Sequence, residues 1–277
     1  MVNDMQKLNF SKLIGIIIGL SLILACSATA LTDSGQDSSA LITPKIIETG
    51  IVKENIQKFT ESSDAVVTFK GMKEFSIGKM YEVATNAGDR YYVNANTGDI
   101  EVATIHNALS TMSMNAKDIG SMKEPVQKFV EKNYRNFTSK KMTLADSKII
   151  DHGDAGKEYV FYWNEMSGEA YTLSSVMVSV FPDNDNTITY IGFDRPLLVD
   201  TTPESSRANA EATVLHTLKM GEDAKTISKL LVVPDGSSQK LVWLVDTIER
   251  DKEGFSHGGS ARVDAISGEV ISINPVL

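Results

Sequence analysis

The chain has 277 residues, 42% of them hydrophobic and 23% charged. That composition belongs to a globular body with a real core, and it excludes a collagen-like repeat, a disordered chain and a polytopic membrane protein. Its 27 Lys and Arg against 36 Asp and Glu give a net charge of −9, and so acidic a surface repels phosphate backbones, so no nucleic-acid partner is expected. The length fits roughly two domains.

The first residues read as an export segment. Lys7 and Lys12 precede an apolar run, Leu13–Ala25, interrupted only by Ser21. A positive start and a short apolar stretch describe a secretory signal, and the run is shorter than the ~20 residues a spanning helix needs. It ends in Ile23-Leu-Ala-Cys26. This resembles the lipobox of exported lipoproteins, in which a small residue precedes a cysteine that is acylated and becomes the new N-terminus. The resemblance implies lipidation of Cys26, and an acyl anchor contributes about 0.8 kcal/mol per buried methylene. Two other readings stay open. Cleavage after Ala30, at Ala28-Thr-Ala30, gives a secreted protein, and retention of residues 13–31 gives a marginal N-terminal helix. All three place the body outside the cytoplasm. Cys26 is the one cysteine, which leaves no intramolecular disulfide and no paired-thiolate metal site. Residues 1–26 are therefore signal and anchor, and 27–41, rich in Ser, Thr, Asp and Gly, a flexible tether.

The body then reads as helix followed by strands, three times. Thr43-Pro44 opens a helix over Lys45–Thr60 with Ile47, Ile51, Ile56 and Phe59 on one face. Pro125 starts a second helix with Val126, Phe129, Val130 and Tyr134. Thr202-Pro203 opens a third with Ala208, Ala212, Leu215 and Leu218, stopped by Gly221. The three prolines recur at intervals of about 80 residues, which points to an internal repeat. Strands are expected over Met80–Thr85, Arg90–Ala95 and Ile100–Thr104, then Glu158–Trp163, Val176–Val180 and Thr187–Ile191, and finally Lys240–Val245, Ala261–Ala265 and Val270–Ile273. Turns fall at Asn96-Thr97-Gly98-Asp99, at Pro182–Asn186 and at Ile266-Ser267-Gly268-Glu269. A second register for the middle hairpin runs through Ser167-Gly168-Glu169; the first is preferred because Trp163-to-Val178 parallels Trp243-to-Val263.

Val93-Asn-Ala-Asn-Thr-Gly-Asp-Ile100 and Val263-Asp-Ala-Ile-Ser-Gly-Glu-Val270 resemble the closing hairpin of the PepSY domain, found also in YpeB-like proteins and in propeptides of secreted metallopeptidases. That motif reads approximately V-D-A-x-T-G-E-V. The resemblance implies an α+β fold of repeated units, each one helix packed on an antiparallel β-sheet, over residues 42–105, 115–195 and 201–277. It also implies an extracytoplasmic role in binding or restraining a peptidase, and it brings no catalytic residues.

Other candidates are weak. Gly254-Phe-Ser-His-Gly258 matches G-x-S-x-G, but no histidine follows Ser256 at a distance and no buried strand precedes it. His106, His152, His216 and His257 are scattered. Asp183-Asn-Asp-Asn186 lacks the Gly and Glu of a calcium loop, with Ile188 and Asp194 in their places. Asn136-Phe-Thr138 is a glycosylation sequon. Trp163 and Trp243, with Tyr159, Phe161 and Tyr162, are read as core rather than as a ligand platform. The expectation is a non-catalytic, membrane-anchored binding module without cofactor or metal that engages a secreted peptidase or envelope protein. The alternatives are a lipoprotein for a small-molecule or cell-wall ligand, and a hydrolase built on Ser256.

Overall fold

A computed structural model describes residues 46–75, 78–106, 118–183, 186–221, 223–250 and 256–276. Cys26, the tether and Thr43-Pro44 lie outside the described residues. The elements run α1 (Thr49–Thr60), β1 (Val67–Phe75), β2 (Gly78–Thr85), β3 (Arg90–Asn94), β4 (Ile100–Ile105), α2 (Ile119–Asn133), β5 (Met142–Asp151), β6 (Lys157–Ser167), β7 (Ala170–Phe181), β8 (Thr187–Phe193), α3 (Arg207–Leu218), β9 (Lys225–Asp235), β10 (Ser238–Arg250), β11 (Ser256–Asp264) and β12 (Val270–Val276).

Each helix is followed by four strands in chain order. The expected repeated units of one helix on an antiparallel sheet are nevertheless corrected. All twelve strands belong to one sheet, ordered β1-β2-β3-β4-β8-β7-β9-β10-β11-β12, with β6 beside β7 and β5 beside β6. The sheet is mixed, because β7 pairs in parallel with β9 through Ala170↔Leu230 and Tyr171↔Leu231. Strand β4 pairs antiparallel with β8 through Val102↔Ile191 to Ile105↔Ile188. The physical reason is the sheet edge. Strands β4, β8, β7 and β9 hydrogen-bond to one another, so the ladder continues from one helix-and-strand stretch to the next.

The helices begin later or earlier than their prolines indicate. In α1, Val52, Ile56 and Phe59 are the buried positions, while Ile51 is 45% exposed. Ile47 lies before the helix, where its N–H donates to the Ala95 carbonyl at 2.8 Å. The chain leaves α1 through Glu61 in the left-handed region, φ 56°. Asp118, whose carboxylate accepts from Ser121 N–H at 2.9 Å, starts α2 well ahead of Pro125. Ser206 caps α3 in the same way through Asn209 N–H at 3.2 Å, and Ala210 and Val214 are buried. Lys219, φ 56°, ends it before Gly221.

Two compact units divide the chain. Among the described residues, one takes those up to Arg135 with those of Asp146–Phe161 and Met177–Gly192; the other takes those of Asn136–Ala145, Tyr162–Val176 and from Phe193 on. In the first, Phe59 meets Tyr91, Phe129 and Tyr190 edge-on at 6.1, 5.6 and 5.2 Å. In the second, Ala210 and Val214 of α3 pack on Trp243, Val245 and Val263. Trp243 Nε1–H donates to the Ser205 carbonyl at 2.8 Å. Full burial of side chains of this size contributes roughly 1.5–3 kcal/mol each. Leu241–Val245 are buried consecutively, which means that β10 is covered on both faces.

Asp246 interrupts this strand, opposite Ser260 of β11. Burial raises its carboxyl pKa, against a hydrogen bond to Ser260 and the charge of Lys229. The folded pKa therefore lies above the unfolded value of about 3.9. Its contribution to stability is full below the unfolded pKa and is lost as pH rises through the folded one. Asp246→Asn keeps an acceptor without the charge. It is expected to raise the thermal unfolding midpoint at pH 7 and to match the parent chain at pH 3; an unchanged or lower midpoint at pH 7 contradicts this.

Candidate functional site

The two hairpins singled out by sequence share their turn hydrogen bonds. Asn94 Oδ1 accepts from Asn96 N–H and Thr97 N–H at 2.9 and 3.2 Å. Asp264 Oδ1 accepts from Ile266 N–H and Ser267 N–H at 2.8 and 3.0 Å. Thr97 Oγ1 and Ser267 Oγ each accept from the N–H two residues on, of Asp99 and Glu269, at 3.2 Å. Gly98 and Gly268 both sit at φ 77°, and their N–H groups return to the Asn94 and Asp264 carbonyls. Both strand pairs slip by one residue at the same place, between Tyr92 and Val93 and between Arg262 and Val263. Each position of the motif thus has a backbone reason.

The turns also tie the helices down. The buried Ala95 carbonyl accepts from Ile47 N–H, and Asn55 Nδ2 donates to the Gly98 carbonyl at 2.8 Å. The buried Ala265 carbonyl accepts from Glu204 and Ser205 N–H at 3.0 and 2.8 Å. The Asn94, Thr97, Asp264 and Ser267 side-chain oxygens are thus spent on backbone N–H groups of their own turns.

One difference follows local charge. Asn94 Nδ2 donates at 2.8 Å to Glu101 Oε1, and Glu101 is 1% exposed. A carboxylate at position 94 would face that carboxylate. In the second hairpin Ile271 stands at the position of Glu101, and Lys240 Nζ lies 3.8 Å from Asp264 Oδ2. Burial pushes the Asp264 carboxyl up, but the N–H groups of Ser267 and Ile266 and the Lys240 charge outweigh it and leave the pKa lowered.

A polar cluster that sequence reasoning missed lies in the second unit. Lys140 Nζ reaches Asp194 Oδ1 at 2.9 Å, Glu165 Oε2 at 3.3 Å, Ser174 Oγ at 2.8 Å and the Arg195 carbonyl at 2.9 Å. Thr172 Oγ1 donates to Glu165 Oε2 at 2.5 Å, and Asn136 Nδ2 donates to Asp194 Oδ2 at 2.6 Å. The Lys140, Glu165 and Asp194 side chains are 17, 15 and 23% exposed. Asn136, the acceptor of the glycosylation sequon, is half-buried with its amide nitrogen engaged.

The other candidates are placed as follows. Ser256 and His257 are exposed neighbours on β11, paired with Arg250 and Glu249. Adjacent strand residues point to opposite faces, so hydroxyl and imidazole diverge, and no helix follows Gly258 to make a nucleophile elbow. His257 Nε2 is 3.5 Å from Glu249 Oε2. His152 Nε2 is 2.9 Å from Glu158 Oε2, while Ser179 donates to the other oxygen of Glu158. The carboxylate stands between hydroxyl and imidazole, so this chain cannot activate the serine as a base-activated triad does. His106 Nδ1 lies 3.3 Å from Thr187 Oγ1, and His216 is exposed. Asp183 accepts from Lys157 N–H at 3.2 Å. Among the described residues no group of three or more His, Cys, Asp or Glu could hold a metal ion. Trp163 and Trp243 are 1 and 2% exposed, within the core. A shallow depression of about 260 Å³ follows α2, lined by Gly120, Lys123, Glu124, Gln127, Lys128 and Glu131, with no aromatic or branched aliphatic side chain among them. No described helix is long and apolar enough to cross a membrane.

No protein-family model matches the chain, and no curated protein matches it. Among solved structures it is similar to the Bacillus megaterium YpeB C-terminal domain, with 11% identity, coverage of 84% of this chain and 99% of that one, and a TM-score of 0.47.

Two substitutions test the hairpins. A Cβ on Gly98 would stand 2.9 Å from Asn55 Nδ2 and 3.0 Å from Ile47 Cδ1, at a positive φ. Gly98→Ala is expected to cost about 1–3 kcal/mol in urea unfolding, more than Gly236→Ala, where nothing lies within 4 Å. Equal costs at the two sites would show that the close approach of α1 is unimportant. Asn94→Asp pairs two carboxylates, which raises their folded pKa values. Stability is expected to fall at pH 7 and to return as pH drops below the unfolded carboxylate pKa; a loss that persists at pH 3 would refute the charge argument.

Proposed function

We propose that the chain is a non-catalytic binding module held outside the cytoplasm by its N-terminal segment. It engages a secreted peptidase or another envelope polypeptide by adding a strand to its sheet. The observation that carries the reading is the outer side of β12. This strand ends the sheet order, and Val270-Ile-Ser-Ile-Asn274 presents no charged residue, with Ile271 47% exposed. An edge without charge is a template for another chain. At the other end of the order β1 is guarded differently, by Lys70, Lys73 and Glu74 and by an irregular register at Phe69 and Gly71. The PepSY-like hairpin motif at Val263–Val270 supports the same reading, since this copy closes on the strand that offers this edge. The apolar run and Ile23-Leu-Ala-Cys26 support membrane attachment through Cys26.

The full chain, immobilised and exposed to envelope extract, is expected to retain a defined polypeptide that Ile271→Lys does not retain. Such a surface change typically shifts stability by no more than about 0.5 kcal/mol, so the unfolding midpoint serves as the control. Equal retention by both chains would rule out β12 as the docking edge, and retention of nothing by the parent chain would defeat the binding reading.

A further inference from the structure

The Lys140 cluster holds the parts of an amide-forming site. Nζ of Lys140 lies 2.9 Å from Oδ1 of Asp194, with Glu165 Oε2 at 3.3 Å from the same nitrogen. The second oxygen of Asp194 accepts from Asn136 Nδ2 at 2.6 Å. Thr172, 2% exposed, fixes Glu165 through its hydroxyl at 2.5 Å. Lys140 is fixed in turn by its own N–H, which donates to the Asn136 carbonyl at 2.9 Å. Nucleophile, electrophile, proton carrier and a donor to the developing oxyanion are thus held together on separate pieces of chain. We propose that Lys140 and Asp194 become joined by an intramolecular amide bond, with Glu165 as the proton carrier.

The step balances without an oxidant, a reductant or a second substrate. The ammonium of Lys140 gives one proton to Oδ1 of Asp194, and the neutral amine attacks Cγ. The new C–N bond forms while negative charge gathers on Oδ2, where the Asn136 N–H receives it. Glu165 takes a second proton from the nitrogen and passes it to the departing hydroxyl. The Cγ–Oδ1 bond breaks, one water leaves, and Glu165 returns to its carboxylate form. Holding the groups in contact is what makes the reaction intramolecular and fast relative to free amine and acid. The product removes an ion pair from a barely exposed site and leaves an amide N–H for Glu165 to accept. It also gives a chain with one cysteine, Cys26, a covalent tie that does not depend on disulfides. This inference is independent of the binding role proposed above.

Peptide mapping of the purified full-length chain tests it. The expected result is a linked pair of peptides joining positions 140 and 194, lighter than the sum of its parts by one water, and resistance of the Lys140 bond to trypsin. Glu165→Gln is expected to cut the linked fraction at least tenfold with an unchanged circular dichroism spectrum, and Asp194→Ala to abolish it. Separate, unmodified peptides from the folded parent chain overturn the proposal, and that outcome needs no variant to fold. Full linkage in Glu165→Gln would overturn the role given to Glu165.

Discussion

The structure depends on where a tight turn sends its backbone hydrogen bonds. Between residues 94 and 99 the chain reverses in six residues, which leaves amides that a ladder cannot use. The side chain of Asn94 takes two of them and Thr97 takes a third. The Ala95 carbonyl accepts from Ile47 N–H in the chain that enters α1. Once those bonds are made, the helix has one place to lie. The same geometry at residues 264–269 positions the segment before α3. A turn that merely reversed the chain would tolerate many residues; a turn that also receives a helix demands Gly at φ 77°, a small residue before the bend and an oxygen-bearing side chain at its start.

This explains what was legible in the sequence. The strands at 80–85, 90–95, 100–104, 240–245, 261–265 and 270–273 were readable because alternation and turn chemistry agree there. Strands β1, β5 and β9 were not. The residues of β1 and β5 are mostly exposed, so sequences such as Thr68-Phe-Lys-Gly-Met-Lys-Glu74 carry no apolar alternation, and only pairing with β2 or β6 defines them; β9 buries Leu230, Leu231 and Val232 in a row, a short apolar run that periodicity alone does not assign. Helix limits failed for a related reason. Pro125 lies inside α2 and Pro203 lies ahead of α3, while Asp118 and Ser206 hold the caps that start these helices. In the middle of the chain both candidate turns are used. Gly168, φ 60°, joins β6 to β7, and the Pro182 turn joins β7 to β8.

The mixed sheet was beyond sequence reading because it is decided by edges. Periodicity tells which face of a strand is buried and says nothing about which neighbour supplies its hydrogen bonds. Parallel pairing at Ala170 and Leu230 joins strands some sixty positions apart, and each alone reads like any half-buried strand.

The Lys140 cluster was hidden for the same reason, and it poses the sharper energetic question. Its members come from a turn before β5, from β6, from β7 and from the chain after β8, so no spacing links them. A lysine and two carboxylates removed from water normally lose about as much in desolvation as they gain from one another, and apolar side chains of similar volume do as well or better. An ion pair kept at that cost needs another reason. Arg195 N–H and its carbonyl both bond to Ser174 Oγ, which is fully buried, so the backbone is already held without Lys140. Fixing position alone therefore accounts poorly for a charged pair in contact, with a second carboxylate on the nitrogen and an amide donor on the far oxygen. Those last two groups are what a condensation requires and what a simple strut does not.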